Sequence, residues 1–211
     1  MEPDLWEFTL CVGAPFLLAI VELFHPHPHD LLNVDVQTWL LVHYAQVPLF
    51  PLSALAVATL VRRQTGVAAT VCRICMFVFG VSYIAFDTAA GLVTGILVKA
   101  ANASGAPDAW RAAIQTVWSH PIIGGAPAPL LAILGSLALS VGTIAAAVTL
   151  KRSGSSWAPL LLLVLSSFGI AVFKTHAWPG GPLTFGGIAV SAAWLLVEKR
   201  ARARQPAFVR G

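Results

Sequence analysis

The densest group of chemically reactive side chains in the 211-residue sequence is a histidine–proline segment at residues 25–29. It contains His25, His27 and His29, which are half of the six histidines in the chain. The prolines between them stop a preceding helix and keep the backbone extended. Imidazole groups, with carboxylates nearby, are ligands for zinc, copper and iron, so the segment predicts a metal-binding region.

Glu22 and His25 form an E-x-x-H pattern just before this segment. On a helix, that spacing puts both side chains on one face, as in di-iron carboxylate bundles. The sequence has one such pattern, whereas a di-iron site ordinarily uses two. The pattern therefore predicts a pair of ligands without choosing the metal.

Asp87 is a carboxylate in the middle of a long apolar segment. Placing a charged residue at the centre of a membrane helix costs about 2.5–3.5 kcal/mol on insertion scales. A metal ion, a proton relay or a pairing with histidine would each offset that cost. If the chain is an enzyme, Asp87 and Glu22 are the predicted catalytic residues, acting as general base beside a metal-activated water.

The composition predicts the fold class that must position these groups. Hydrophobic residues make up 57% of the chain, charged residues 10%, and the mean hydropathy is +0.80. These values indicate an all-α integral membrane protein. We predict a bundle of six transmembrane helices, with five as the alternative, and a short interfacial amphipathic helix between helices 3 and 4. Residues 1–198 would form a single transmembrane domain, and 199–211 a basic cytoplasmic tail.

The predicted spans follow the apolar runs of the sequence. The last span is the shortest, and small residues in the fourth would allow close helix packing. The expected amphipathic helix covers residues 108–120. The six predicted spans are about 6–24, 39–61, 71–98, 127–150, 157–177 and 182–197.

The distribution of basic residues predicts the orientation. Six spans put both termini on one side, and ten of the 13 Lys and Arg residues then lie on that side. The positive-inside rule makes it the cytoplasm. We therefore expect a multi-pass protein of a bacterial inner membrane, with anionic lipids bound at the basic tail. The net charge of +4 reflects this tail and does not indicate a nucleic-acid partner.

This orientation puts all the histidines on or near the outer face. We expect a shared pocket in the outer leaflet, with His27 and His29 at its rim. The predicted metal ligands are Glu22, His25, His43, Asp87, His120 and His176.

Other functions fit the same sequence. In a haem- or pigment-binding subunit, His43 and His176 (or His120) would be the cofactor-binding axial ligands. A non-catalytic subunit of a larger membrane complex, or of a homo-oligomer, needs only small-residue helix faces. Cys72 and Cys75 form a C-x-x-C pair, but at the cytoplasmic end such thiols stay reduced, so we expect them to pack in the core.

Overall fold

The computed structural model of the protein describes residues 5–125 and 128–204. All regular structure in this part of the chain is helical. The predicted start of the fourth span at Pro127, and the tail from residue 205 onward, lie outside the described residues. The helices are α1 (Leu5–Leu23), α2 (Val36–Leu60), α3 (Val67–Ala103), α4 (Arg111–Trp118), α5 (Leu130–Arg152), α6 (Trp157–Phe173) and α7 (Gly180–Arg204).

Five of the described helices are long and apolar enough to cross a membrane: α1, α2, α3, α5 and α7. The all-helical class is confirmed, and these helices suggest a multi-pass membrane protein. The count of six spans is not confirmed, because α6, which corresponds to the fifth predicted span at 157–177, is shorter than the other five. Helix α6 ends at Phe173, where Lys174 takes a left-handed conformation with φ of 55°.

Helix α7 is longer than the sequence predicts. We expected it to end at Val197, where charged residues begin, but it extends for 25 residues to Arg204. The extension is stabilised because Lys199 reaches a buried carboxylate, with its Nζ atom 2.8 Å from Oε1 of Glu7. The first residues of the predicted tail are therefore part of the helical bundle.

The main packing contacts arrange the long helices and α6 in a closed ring. Each helix packs on the next in the order α1, α2, α3, α5, α6 and α7, and α7 returns to α1. Glycines permit the close approach of α3 and α5, since a β-carbon on Gly135 would overlap the ring of Tyr83 and one on Gly142 would overlap Met76. This agrees with the expected role of small residues in helix packing.

The two ends of α2 are held by side-chain caps. The Asp35 carboxylate accepts hydrogen bonds from the backbone N–H groups of Gln37 and Thr38, at 3.1 and 3.3 Å. At the other end, the Arg73 guanidinium donates to the carbonyls of Val61 and Gln64, at 2.9 and 2.6 Å. These bonds satisfy backbone groups that a helix leaves unpaired.

Helix α4 lies within the region predicted to be amphipathic. Its residue Ile114 is buried in a small apolar cluster with Leu32, Val98 and Ala101. The cluster fixes α4 against the outer part of α3 and the loop after α1. A position of α4 at the membrane interface stays a prediction.

The bundle has two chemically different ends. We call the end that carries His25, His43 and His176 the histidine end, and the opposite end, which carries Arg62 and Lys199, the basic end. The short helix α6 runs from the basic end to the histidine end. In the turn before it, Ser155 contacts Arg202 of α7, and in the turn after it, His176 contacts Glu22 of α1.

Candidate functional site

Three histidines from separate parts of the chain meet at the histidine end. The ring of His25 lies between the other two, with its centroid 4.9 Å from that of His43 and 4.8 Å from that of His176. His25 follows α1, His43 is in the second turn of α2, and His176 is in the turn before α7. The structure therefore brings together three of the four histidines that we predicted as ligands.

Backbone carbonyls set the orientation of two of these rings. The Nδ1–H group of His25 donates to the carbonyl oxygen of Pro26 at 2.9 Å, and that of His43 donates to Trp39 at 2.6 Å. Because a carbonyl only accepts, Nδ1 must carry the proton, and a neutral ring then has its lone pair on Nε2. Metal-binding histidines are commonly held in this way.

His176 is oriented by a carboxylate. Its Nδ1 atom lies 3.3 and 3.2 Å from the two oxygens of Glu22, which is completely buried near the end of α1. The amide nitrogen of Gln46 lies 3.4 Å from the same ring nitrogen. When Nδ1–H donates to the carboxylate, Nε2 of His176 is left for another partner.

The surroundings shift the pKa values of the two histidines in the connecting loops in opposite directions. Burial lowers the pKa of His25 well below its usual value, and the neighbouring His176 and His43 lower it further. Burial also disfavours charge on His176, but the Glu22 carboxylate outweighs this effect and raises the pKa of His176.

Asp87 faces His43 from α3 and is almost completely buried. Its Oδ1 atom is 3.8 Å from Nε2 of His43, which is too long for a hydrogen bond. Within residues 5–125 and 128–204, neither carboxylate oxygen has a hydrogen-bond partner, and neither does Nε2 of His25. A buried polar atom without a partner is costly, so these atoms indicate a missing ligand, ion or water.

The backbone around Asp87 is also unusual. Asp87 begins a π-helical segment, Asp87–Val93, inside α3. Such segments are rare and often lie at functional sites. The segment presents Gly91 to the His43 ring, and a β-carbon at Gly91 would overlap that ring. The carbonyl of Gly91 also accepts a 2.8 Å hydrogen bond from Nε1–H of Trp39.

A cavity lies beside these residues and has a volume of about 640 Å³. This volume is large enough for a small molecule. His25, His43, Asp87 and His176 line it. The rest of its wall is largely apolar and comes mainly from α3, α5 and α6, with Trp39 of α2 and Trp118 of α4. Its apolar and aromatic members include Trp39, Tyr83, Phe86, Ile133, Leu137 and Ile170.

Two predicted ligands have other positions. His120 is exposed and does not line the cavity, because its Nδ1 atom accepts hydrogen bonds from the N–H groups of Ile122 and Ile123 at 3.3 and 3.5 Å. Glu22 lies behind His176 and is not a lining residue either. His27 and His29 line the cavity and are exposed, at the position expected for a rim.

The side chains do not form a closed metal site as they stand. Across the described ranges, no three His, Cys, Asp or Glu side chains are arranged to hold a metal ion. The centroid spacing of the rings is nevertheless close to the value of roughly 5 Å that tetrahedral coordination with bonds of about 2.1 Å implies.

Comparisons with known proteins leave the function to be argued from this site alone. No family model, curated protein or solved structure matches the chain.

Sequence reasoning missed three residues that support the site. The Trp39 carbonyl orients His43, Gly91 makes room for that ring, and Gln46 contacts His176. The spacing of Trp39 and His43, one helical turn apart, is the signal that could have shown the first of these contacts.

Proposed function

We propose that the chain is a membrane metal-binding protein whose centre uses Nε2 of His25, His43 and His176 together with the Asp87 carboxylate. One observation carries the proposal: all three rings have Nδ1 next to an oxygen acceptor, which leaves Nε2 as the coordinating atom. Two metal–ligand bonds of about 2.1 Å can bridge the gap between His43 and Asp87.

Glu22 has a supporting role in this centre. A carboxylate that accepts the Nδ1–H of a histidine fixes its ring and makes Nε2 a better ligand. Glu22 is held at that position by α1, whereas Asp87 reaches the cavity from α3. The ligand set of imidazoles and one carboxylate suits zinc, copper or iron.

The cavity supports the further proposal that the centre acts on a lipid-soluble substrate. Its wall is mainly apolar and includes Ile133 and Leu137 of α5, both of which are partly exposed on the outside of the bundle. A substrate could therefore enter from the side and place a polar group beside the metal. Metal-activated water is the reactant that such a centre would supply, with Asp87 as the proposed general base.

Haem or a related pigment has less support as the ligand. Axial ligation by His43 and His176 would need the macrocycle between their rings. The His25 ring occupies that region, within 4.9 Å of both centroids. The remaining alternative, a non-catalytic subunit of a membrane complex, predicts no bound metal.

Elemental mass spectrometry of the purified protein tests the proposal. We expect about one metal ion per chain, which chelation removes and a defined zinc, copper or iron salt restores. An optical spectrum of the same sample tests for haem. A protein that contains no metal and does not take one up would refute the metal centre and leave the structural subunit.

We also propose that the basic end faces the cytoplasm of a bacterial cell, with α6 as a sixth crossing. The support is the nine-to-three distribution of Lys and Arg between the two ends among the described residues. Single cysteines introduced at Ser104 and Ser153, in a variant without the native cysteines, would test it. We expect an impermeant thiol reagent to label Ser104→Cys in intact cells, and labelling of Ser153→Cys would reverse the orientation.

A further inference from the structure

A pair of hydroxyl groups lies in the wall of the cavity at the histidine end. Tyr83 of α3 and Ser136 of α5 both line this cavity, and their oxygen atoms are 2.9 Å apart. Tyr83 is one helical turn from Asp87 along α3, on the side away from the histidine end. Both side chains of the hydroxyl pair are buried, and the proposed metal centre uses neither of them.

Both protons of the hydroxyl pair are already used in hydrogen bonds. The Ser136 oxygen is 2.7 Å from the carbonyl oxygen of Ala132, which can only accept, so Ser136 donates its proton there. Tyr83 must then donate its own proton to Ser136. Each hydroxyl oxygen has two lone pairs, so Tyr83 keeps two and Ser136 keeps one. Across the described residues, neither oxygen makes a further hydrogen bond, so the hydroxyl pair can accept but not donate.

The other polar groups deep in the cavity are acceptors too. Neither oxygen of Asp87 has a hydrogen-bond partner in the part of the chain that the structure describes. In the proposed centre, a metal ion takes this carboxylate and the imidazole nitrogens, which leaves the hydroxyl pair for the substrate. A substrate with an O–H group complements the hydroxyl pair. An ether, ester or ketone has only acceptor oxygens, so it would place lone pairs against lone pairs.

The cavity reaches the outer surface of the bundle between α5 and α6. Helix α6 is interrupted at residues 167–168, and the part after the interruption packs more on α7 than on α5. The Ser140 hydroxyl donates to the carbonyl of Ser167 at 3.1 Å and so stabilises the interruption. Nearer the histidine end, Ile133 and Leu137 of α5 line the cavity and are also exposed outside the bundle. In a membrane this opening faces hydrocarbon, so it suits a ligand with a hydrocarbon chain.

We propose that the ligand of this cavity is a lipid alcohol. Its hydroxyl group donates a hydrogen bond to the pair formed by Tyr83 and Ser136, and its hydrocarbon chain extends between α5 and α6. This inference rests on the proposed function, because it names the substrate class of the same cavity. Tyr83 and Ser136 act as positioning residues, since they hold the alcohol and contribute no metal ligand.

Probe binding by the full chain tests the proposal. Chelator-treated protein is placed in phosphatidylcholine nanodiscs with either tridecanol or dodecyl methyl ether, and the probe that stays bound is counted by native mass spectrometry. The two probes are isomers, and only the alcohol has a donor. We expect roughly fivefold greater retention of the alcohol, the ratio that one hydrogen bond of typical net strength gives. Equal retention of the two probes by the unmodified protein overturns the proposal.

A double variant shows whether the hydroxyl pair causes the preference. Tyr83→Phe with Ser136→Ala removes both acceptor oxygens and little volume, so it should retain the two probes equally. The matched control is Tyr44→Phe with Ser166→Ala. It removes an exposed tyrosine hydroxyl and a serine hydroxyl that bonds to a carbonyl one turn back, both outside the cavity lining. An alcohol preference that persists in the first variant, or is lost equally in the control, overturns the proposal.

Metal content separates this proposal from the metal centre. The same preparations are reloaded with a zinc salt and analysed by elemental mass spectrometry. A chain that prefers the alcohol but takes up no metal would support the lipid site and refute the centre. A chain that takes up one ion but shows no alcohol preference would refute the lipid site alone.

Discussion

The Nδ1 atom of His176 lies 3.2 Å from Oε2 of Glu22, across 154 residues of sequence. The contact joins the end of α1 to the turn before α7, so it connects the two helices that close the ring. It also gives the third histidine the orientation that backbone carbonyls give the other two.

Replacing Glu22 by Gln should weaken metal binding without removing the ligands. The amide keeps the size of the side chain but loses the charge that holds Nδ1–H of His176, and losses of this kind cost about 10–100-fold in metal affinity. Competition with a chelator of known affinity measures the change. The control is Asp108→Asn, at an exposed carboxylate of the same end. Unchanged affinity in Glu22→Gln would show that the contact does not support a metal ligand.

The double variant His43→Gln, Asp87→Asn should contain no stoichiometric metal. It removes two proposed ligands whose nearest atoms are 3.8 Å apart. His27→Ala and His120→Ala should keep the full amount, because one residue is at the rim and the other is outside the cavity. Elemental analysis after size-exclusion chromatography gives the comparison on folded protein. A double variant that still binds one ion would disprove the ligand assignment.

Gly91→Ala should destabilise the protein by about 1–3 kcal/mol, the usual cost of overpacking a core. The new methyl group would overlap the His43 ring, which must then move away from Asp87. Gly186→Ala is the control, since its β-carbon would meet only Ala19, at 3.9 Å. The control should be neutral or stabilising, because Ala favours helix over Gly. Similar unfolding midpoints for the two variants would contradict this packing.

The ion pair between Asp30 and Arg111 should make the loop after α1 sensitive to acid. Arg111 donates two hydrogen bonds, at 3.0 and 3.2 Å, and thereby lowers the pKa of Asp30. A carboxylate with a lowered pKa stabilises the fold fully above its usual pKa of about 3.9. The contribution disappears as pH falls through the lowered value.

Unfolding midpoints of Arg111→Gln and of the unmodified protein measure this effect. We expect a small difference at about pH 7 that shrinks as the pH falls below the usual pKa of an aspartate and through the lowered pKa of Asp30. Lys99→Gln, which removes an exposed cation from α3, should show no such dependence. A difference that persists at acid pH would mean that Arg111 acts through other contacts.

Much of the fold follows from the sequence because membrane helices need long apolar runs. The runs around His43 and Asp87 became α2 and α3, and Pro48 and Pro51 did not break α2. The length of α7 was underestimated because its stabilising partner, Glu7, lies at the other end of the sequence. Such a contact depends on how helices pack, which periodicity does not reveal.

The site was predictable as a set of residues but not as an arrangement. The chemical types of His25, His43, Asp87 and His176 led us to predict them as ligands, and the structure places all four around one cavity. The separate position of His120 depends on a local turn in which its ring accepts backbone hydrogen bonds. Likewise, only packing shows that Glu22 lies behind His176 instead of facing the cavity.

The closed ring of helices also determines when the residues of the proposed centre can come together. Glu22 and His25 are synthesised early. Their contacts with His176 form only after residue 176 has been synthesised and α7 has taken its place in the ring. Until that last helix packs on α1, the Glu22 carboxylate has no imidazole to bind. A nascent chain therefore acquires its proposed centre only after residue 176 and α7 have been synthesised.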